Sequence, residues 1–404
     1  MAKAGRNNLR YQESKSAVIG AAIAILNRQG VTRMTLAAVA ARLGISAPTI
    51  QYYFNKKEDL ASACLIQGLN RLGEFLSNAE TKNTKKDRLE IFFKEYFEFR
   101  ERAVRGEVEE FPSFSDARGL NTGAVFEEYI VIFRRLRTLI SETDTAPMQK
   151  ICTNSEAHLI LSELHWSPVW FRRVFPGDSA RFGGRMFEIL SKGIAAPGKN
   201  WAPISIAVAI PKADTSDGAS FEIFLRAASA QINEQGYRGT SVDKITGRLN
   251  LTKGAFYHHI KTKDEIVLSC FRRTFEVMHK TIKGAEEISN NGLQTLSTIV
   301  VALVEHQIYG EAPLLRASAV NNTSEAHQVE IFTGIDTVVT RIASVISDGI
   351  LDGSVRPLDA NVAANMIMAI INGADELPYF ARGITPAEVS DYFVRPIFNG
   401  LLSQ

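Results

Sequence analysis

Cysteine is scarce in this sequence of 404 residues. Cys64, Cys152 and Cys270 are odd in number and far apart, which argues against a disulfide framework or a zinc site and favours a reducing cytosol. No apolar run approaches the roughly 18 residues that a membrane-spanning helix needs. The apolar segment 17–26 lacks the small-residue cleavage site of a secretory signal. We therefore expect a cytoplasmic protein with no membrane partner.

The sequence also lacks the common patterns of enzyme active sites. It contains no G-x-x-x-x-G-K-[ST], no G-x-S-x-G, no H-E-x-x-H and no C-x-x-C. The adjacent His258 and His259 would diverge on a helix, and no further ligand stands at metal-binding spacing from them. We therefore predict that the chain is not an enzyme and that it holds no metal and no cofactor.

Charge is unevenly distributed along the chain, although the net charge is only +2. Residues 1–66 hold nine Lys and Arg against three Asp and Glu, a net charge of +6. Residues 217–272 hold eight against six, a net charge of +2, so the rest of the chain carries −6. Basic segments beside acidic ones indicate that the basic segments meet a polyanion.

The chain contains an internal repeat at about half its length. A shift of 206 residues aligns segment 15–66 with segment 221–272 without a gap, and ten of the 52 positions are identical, where chance gives about three. The identical pairs are Ala21/Ala227, Ala22/Ala228, Ala24/Ala230, Asn27/Asn233, Gln29/Gln235, Gly30/Gly236, Arg42/Arg248, Leu43/Leu249, Lys57/Lys263 and Cys64/Cys270. Two copies at this spacing indicate a duplicated domain, not a solenoid.

Each copy has the pattern of four helices. In the first copy, apolar residues at helical spacing predict a helix over about 14–29 that stops at Gly30. Thr35 is the predicted N-cap of a short second helix. Ser46 is the predicted N-cap of a third, with Pro48 in its first turn, where no backbone donor is needed.

The second and third helices are joined by the three-residue turn Gly44-Ile45-Ser46, which is the arrangement of a helix-turn-helix. Ile50 and Phe54 stand four residues apart and are expected to pack inward. The residues left on the outer face are Thr49, Gln51, Tyr52 and Tyr53. Such a face suits the major groove of DNA, and Lys57 at the start of the fourth helix can bond a phosphate oxygen.

At these residues both copies resemble the DNA-binding head of tetracycline-repressor (TetR) type transcriptional regulators, whose motif is roughly G-V-S-x-G-x-L-Y-x-Y-F-x-x-K-x-x-L. The residues kept are Gly44, Ser46, Tyr53, Phe54, Lys57 and Leu60 in the first copy, and Gly254, Tyr257 and Lys263 in the second. The first copy departs from the motif at Pro48 and Gln51. The second departs at His259 and Ile260.

The resemblance implies a double-stranded DNA operator as the partner and a place at the bacterial nucleoid. The implied DNA contacts are Thr35, Ser46, Ala47, Pro48, Thr49, Gln51, Tyr52, Tyr53 and Lys57 in the first head, and Ser241, Thr252, Lys253, Gly254, Tyr257, His258, His259 and Lys263 in the second. The two recognition helices carry different residues, so they are expected to read different bases.

The repeat divides the chain into two modules. The predicted parts are a first head (1–66), a first body (67–200), a linker (201–216), a second head (217–272) and a second body (273–404). Both bodies have a helical pattern, and the apolar ISIAVAI of the linker is expected to dock onto a neighbouring part. The resemblance implies an all-α single-chain pseudo-dimer whose bodies pair through their last helices, while further self-association stays open.

In the family resembled, the body also binds a small organic effector. The aromatic run 89–99 is either helix core or the wall of a ligand cavity, and Glu163 with the nearby tryptophans poses the same choice. The candidate effector contacts are Phe93, Tyr96, Phe97, His165 and Trp166.

Two functions remain open from the sequence alone. The favoured hypothesis is a transcriptional regulator, a repressor that a small organic effector releases from a non-palindromic operator. The alternative is a helical small-molecule-binding or catalytic protein whose heads have lost DNA binding. The second head's small positive charge and the Pro48 and Gln51 departures favour the alternative.

Overall fold

The computed structural model describes residues 2–114, 123–141, 147–210, 216–249 and 262–402. Within these ranges every regular element is helical, which confirms the predicted all-α fold. The helices of the first half are α1 (Ala2–Arg33), α2 (Leu36–Leu43), α3 (Ala47–Gln51), α4 (Lys57–Glu80), α5 (Lys85–Val104), α6 (Gly123–Ile140), α7 (Pro147–Phe171) and α8 (Ser179–Lys192). Those of the second half are α9 (Ser216–Gly239), α10 (Val242–Leu249), α11 (Lys263–Ile288), α12 (Gly292–Tyr309), α13 (Glu325–Leu351), α14 (Ala360–Gly373), α15 (Leu377–Phe380), α16 (Pro386–Val389) and α17 (Arg395–Asn399).

The first head is built from α1, α2, α3 and the start of α4. α1 begins at Ala2 and is therefore longer than the predicted 14–29. Gly30 interrupts it with φ 68° and ψ 171°, and Gly236 interrupts α9 with φ 70° and ψ 171°. This backbone conformation is open almost only to glycine, so the predicted stop at Gly30 is a kink followed by one more helical turn.

Long helices carry the chain from each head into its body. α4 runs across the position where the first head was predicted to end, and α11 does the same in the second half. Their inner faces hold Cys64 and Cys270, whose Sγ atoms lie 3.7 Å from Ile19 O and 3.6 Å from Leu225 O. Burial raises the pKa of both thiols to about 12, so they pack as small apolar groups.

An asparagine fixes the first head to its body. Asn27 Nδ2 donates to Phe111 O at 2.9 Å, and Asn27 Oδ1 accepts from Ser113 N at 2.8 Å. The bonds tie the end of the first helix to a body segment more than eighty residues away, so the head's orientation depends on the body.

The second head is held in the same way. Asn233, which corresponds to Asn27 in the repeat, donates to Leu314 O at 2.8 Å and accepts from Arg316 N at 3.1 Å. The repeat in sequence is therefore also a repeat in structure. Ser113 and Arg316 occupy equivalent positions, because each donates its backbone N–H to the equivalent asparagine.

Aromatic side chains of α5 form the core of the first body. Phe93, Tyr96 and Phe97 are each no more than 1% exposed, and the Phe97 ring stacks on Phe171 with centroids 5.0 Å apart. α8 approaches this face closely because Gly183 has no side chain; a Cβ there would lie 2.4 Å from the Phe97 ring.

The two bodies meet where α7 and α8 of the first pack against α14 and α17 of the second. His158 Nε2 lies 2.7 Å from Gly373 O, within hydrogen-bond distance. The His158 ring stacks on Phe380 and Phe393, with centroid distances of 5.0 and 5.5 Å. A polar bond inside an aromatic contact fixes the register of the two helices.

Backbone bonds after α8 add to this junction. Ile194 N donates to Ile397 O at 3.1 Å, and Ala195 N donates to Phe398 O at 2.9 Å. Gly193, with φ 76°, lets the two backbones approach.

The linker lies along the second body. Over residues 201–210 it has no helix, and Ile204 N donates to the Thr298 hydroxyl at 3.0 Å. The half-buried Ile206 and Val208 pack against the core, as the apolar pattern predicts.

Candidate nucleic-acid interface and ligand cavity

The turn between α2 and α3 has the geometry that a helix-turn-helix requires. Thr35 Oγ1 accepts a hydrogen bond from Ala38 N at 3.0 Å, so Thr35 caps α2 as predicted. Gly44 ends α2 with φ 67°, and its N–H donates back to Ala40 O. The chain therefore reverses within three residues and enters α3.

Ser46 occupies the N-cap position of α3 but does not bond its backbone, so the predicted side-chain cap is absent. Two features of the first turn explain this. Pro48 has no N–H to offer, and Thr49 N already donates to Ser46 O at 3.0 Å. The Ser46 hydroxyl instead lies 2.9 Å from the Thr49 hydroxyl.

The outer face of α3 is open to solvent, while its inner face is buried. Ile50 is 0% and Phe54 is 6% exposed, whereas Tyr52 is 73% exposed. Pro48, Thr49 and Gln51 are also exposed, and Ala47, Tyr53 and Lys57 are half-buried. The split between inner and outer residues is the one predicted from the spacing, except at Tyr53, which was predicted to point outward and packs partly against the core.

Tyr11 of α1 extends this surface, and sequence reasoning missed it. Its ring centroid lies 5.8 Å from that of Tyr52 and 5.1 Å from that of Tyr53. Four residues further along α1, Lys15 Nζ lies 5.5 Å from the Phe54 ring centroid. The Tyr11–Lys15 spacing, which places both on one helix face, was the available signal.

The second head is described only in part. Ser241 Oγ accepts from Lys244 N at 3.2 Å, which is the cap equivalent to Thr35. Lys263 opens α11 with its Nζ 4.1 Å from the Tyr237 ring centroid, and burial lowers the pKa of Lys263. The predicted contacts Thr252, Lys253, Gly254, Tyr257, His258 and His259 lie outside the described residues.

A cavity of about 1460 Å³ lies between the two halves. Its wall includes residues 27–29 of the first head, helices α5 to α7 of the first body, and residues 316–332 and 369–382 of the second body. Among the described residues, no cluster of His, Cys, Asp and Glu is suited to a metal ion. No described helix is long and apolar enough to cross a membrane.

The effector candidates separate into two groups around this cavity. His165 and Trp166 belong to its wall, and the His165 ring lies 5.2 Å from the Phe114 ring. Phe93, Tyr96 and Phe97 lie in the core described above, outside that wall. Glu163, beside His165 in sequence, is 1% exposed, and burial raises its pKa well above the usual range.

Burial lowers the pKa of His165 to about 4. In the unfolded chain it should titrate near its ordinary value of about 6.5. Between these values the unfolded chain binds more protons than the folded one. This group therefore stabilises the fold above about pH 6.5, and the contribution is lost as the pH falls towards 4.

His165→Phe should make the free energy of unfolding less dependent on pH between 7 and 4.5. The variant keeps an aromatic ring beside Phe114 and loses the buried titrating group, so the slope should fall by up to about 1.4 kcal/mol per pH unit. Urea unfolding of both proteins at several pH values measures the two slopes. Equal slopes would show that His165 does not titrate as a buried neutral group.

A family model described as bacterial regulatory proteins of the tetR family matches the chain twice, at residues 18–64 and 224–270. The two matches begin 206 residues apart, which is the shift of the sequence repeat. They contain the α2–α3 turn of the first head and the corresponding segment of the second. The matches therefore fall on the predicted DNA-binding heads.

Similar proteins each correspond to about half of this chain. The Transposon Tn10 TetC protein of Escherichia coli is 22% identical over 149 residues, 37% of this chain and 75% of its own. The HTH-type transcriptional repressor DhaR of Mycobacterium sp. (strain GP1) is 25% identical over 173 residues, 42% of this chain and 85% of its own. A solved structure of AibR in complex with isovaleryl coenzyme A and operator DNA is 18% identical with a TM-score of 0.37, and covers 45% of this chain and 98% of its own.

Proposed function

The chain is a tandem member of the tetR family of bacterial regulatory proteins, and on that premise we propose that it is a repressor whose two heads bind one operator and leave it when an organic effector binds. It is a DNA-binding transcriptional regulator and not an enzyme. Repression is proposed from the name of DhaR, which is a repressor. Its place is the bacterial cytoplasm, at the nucleoid.

The observation that carries DNA binding is the outer face of α3 in the first head. Thr49 and Gln51 of α3 and Tyr52 directly after it are exposed, whereas Ile50 between them is 0% exposed. The head that holds this helix carries a net charge of +6. A phosphate backbone is attracted to such a head, and an exposed polar helix face fits the major groove.

The two heads differ in the residues that would reach the bases. Gln51 of the first head pairs best with the N6 and N7 edge of adenine. Lys253 of the second suits guanine O6 and N7, and Gly254 beside it permits close approach. A homodimer reads two identical half-sites, but a chain with unlike heads is free of that constraint. We therefore assign it a non-palindromic operator.

Pairing of the bodies within one chain supports a single-chain mode of binding. His158, Gly193 and the backbone from 194 onwards join the first body to the second. The second head is then tethered to the first at an effective concentration in the roughly millimolar range. Specific binding should be first order in chain when the protein is dilute.

The effector is proposed to bind in the cavity between the halves. Its wall contains residues of the first head, including Arg28 and Arg33, as well as residues of both bodies. A ligand there would touch the head and the bodies together, so it would change the head's preferred orientation. Release from DNA requires only that the ligand binds the DNA-free arrangement more tightly.

Footprinting with base-by-base substitution of a selected operator tests this function. We expect unlike half-sites about one helical turn or slightly more apart, with substitutions costing about 1–3 kcal/mol each and different bases preferred in the two halves. Binding should also weaken steeply and log-linearly with salt. A symmetric footprint with symmetric penalties would show that two chains pair and each uses one head. Negligible binding at low salt would favour a small-molecule-binding protein with inactive heads.

A further inference from the structure

Equivalent positions of the two halves face the cavity with different chemistry. The asparagine bonds described above place Ser113 of the first half where the second half has Arg316. Both residues belong to the cavity wall. One side of the cavity therefore carries a hydroxyl at the position where the other carries a guanidinium.

The same contrast occurs on the facing helices. Pro168 and Pro378 stand at the same corner of the two halves, which corresponds to a shift of 210 residues. The residues three and two positions before these prolines form the pairs His165/Asp375 and Trp166/Glu376. The first half is thus neutral and aromatic where the second half is acidic.

In the second half these residues pair with one another, one guanidinium between two carboxylates, so that together they carry a net charge of −1. Arg316 Nη1 lies 3.3 Å from Asp375 Oδ2, and Arg316 Nη2 bonds Glu376. Burial alone would lower the pKa of the Arg316 guanidinium, but the Glu376 and Asp375 carboxylates raise it above its usual range. The ion pairs therefore occupy the position and leave it with a net negative charge, which does not attract an anion.

The first half contributes unused donors to the cavity wall. Trp166 Nε1 and Arg100 Nε are buried and have no hydrogen-bond partner among the described residues. Both groups can only donate, so they call for an oxygen acceptor. Both atoms are covered in this structure, so a ligand oxygen reaches them only if the side chains move.

Charge around the cavity favours an anion. Arg28, Arg100 and Arg382 line it, and within the described part of the chain none of them has an acidic group in salt-bridge contact. Among the acidic wall residues, Glu110 accepts from an amide, and Glu234 and Glu376 pair with arginines. Because an amide is neutral, Glu110 and Glu325 both lack a cationic partner in the described ranges, which leaves two such carboxylates against three arginines without an acidic partner.

The cavity wall also exposes large apolar side chains. Phe126 of the first half and Val329 and Tyr379 of the second are 64%, 68% and 69% exposed, and all three belong to the wall. Large apolar side chains exposed together mark a binding surface. A cavity of about 1460 Å³ also exceeds the roughly 300–1,000 Å³ of ordinary small-molecule pockets.

We propose that the chain has one effector site, on the first-half side of the cavity, and that it takes a large apolar, aromatic anion whose acidic group is bound by Arg100. The second body has no equivalent site because the Arg316 ion pairs occupy it. This rests on the proposed function, since it describes the ligand of the same cavity. Duplication alone predicts two effectors per chain, whereas this site predicts one.

Two dyes that differ in one acidic group test the proposal without DNA. 1-Anilinonaphthalene-8-sulfonate is an aromatic anion, and N-phenyl-1-naphthylamine is its neutral counterpart. The anion should bind with saturable fluorescence at one molecule per chain and more tightly than the neutral dye. Arg100→Gln should weaken the anion's binding about tenfold or more and leave the neutral dye's binding unchanged, because a charged hydrogen bond is lost.

Arg71→Gln provides a matched control. Arg71 lies over Phe99 at 5.3 Å, as Arg100 lies over Phe171 at 5.4 Å, but Arg71 is not part of the cavity wall. It should leave the binding of both dyes unchanged. Trp166→Phe locates the site, since it should reduce the quenching of tryptophan fluorescence by the bound anion.

The proposal would be overturned by tighter binding of the neutral dye or by saturation at two anions per chain. It would also be overturned if Arg100→Gln weakened the binding of both dyes equally, or if Arg71→Gln weakened the anion's binding as much as Arg100→Gln does. Operator binding is measured separately, so a chain that binds DNA but not the anion refutes the site and leaves the regulator intact. A chain that binds the anion but no DNA refutes the regulator and leaves the site.

Discussion

Gly193→Ala is expected to destabilise the chain by more than about 4 kcal/mol, since it combines backbone strain with a clash against main-chain atoms. Gly193 has φ 76° and ψ 178°, a conformation that other residues avoid. A Cβ there would lie 2.2 Å from Phe398 O and 2.5 Å from Asn399 C. Main-chain atoms of the second body cannot rotate away, so the two halves would have to separate.

Comparison with Gly236→Ala separates the backbone strain at Gly193 from its clash with the main chain of the second body. Gly236 has φ 70° and ψ 171°, and a Cβ there meets no atom within 4 Å. Its replacement should cost the strain alone, about 1–3 kcal/mol. Urea unfolding of the two variants gives the difference. Equal losses would mean that the halves do not meet at Gly193.

The strain at Gly193 would also affect the backbone bonds that join the two bodies. Ile194 and Ala195 follow Gly193 directly and donate their backbone bonds to Ile397 and Phe398. Displacing the first backbone would break both bonds. A measured loss well beyond that of Gly236→Ala would therefore establish that the two bodies form one cooperative unit.

The first head could be predicted in detail because its signals are local. Thr35 as a cap, the Gly44 turn and the inward Ile50 each depend on residues within about one helical turn of one another. Ser46 stands at the N-cap position of α3 as predicted, but its side chain makes no capping bond for an equally local reason, since Pro48 removes one donor and Thr49 uses the other.

Contacts between distant segments could not be predicted in the same way. The identity of Asn27 and Asn233 was visible in the repeat, but their bonds join residues more than eighty positions apart. The aromatic run 89–99 likewise indicated either a helix core or a cavity wall, without showing what covers Phe93 and Phe97. Gly183 on α8 decides that, because it lets the helix close over the Phe97 ring.

The cavity was beyond sequence reasoning for the same reason. Its wall is assembled from both halves, and its two sides differ through residue pairs such as Trp166 and Glu376. The sequence leaves Trp166 open between core and cavity wall, and it gives no sign that Arg100 faces a cavity. From sequence alone, an arginine in an aromatic helix is expected to lie on the surface, and only the position of the facing helix shows that it lines a cavity.

Ile50→Asn should abolish binding by the first head and lower operator affinity by about 10²–10⁴-fold, since the avidity of two tethered heads is lost. Ile50 is 0% exposed and joins α3 to the rest of the head. Losing its apolar contacts costs about 2–5 kcal/mol, and burying an unpaired amide adds about 1–3 kcal/mol. A head of this size has little stability to spare, so its helix-turn-helix should unfold locally while the bodies stay folded.

Gln51→Asn is the matched control for this prediction. It also introduces an asparagine, but at the exposed position that follows the buried Ile50 in α3. It shortens the reach to the bases and should cost about 1–3 kcal/mol at one base pair, with no loss of stability. Footprints of the two variants, with hydrogen exchange of α2 and α3, distinguish unfolding from lost base contact. Ile50→Asn should erase the protection of one half-site and keep the other, because the second head has its own core around Phe224 and Ile245. If both half-sites were lost equally, the heads would not fold independently, and binding would depend on a cooperative unit that includes both.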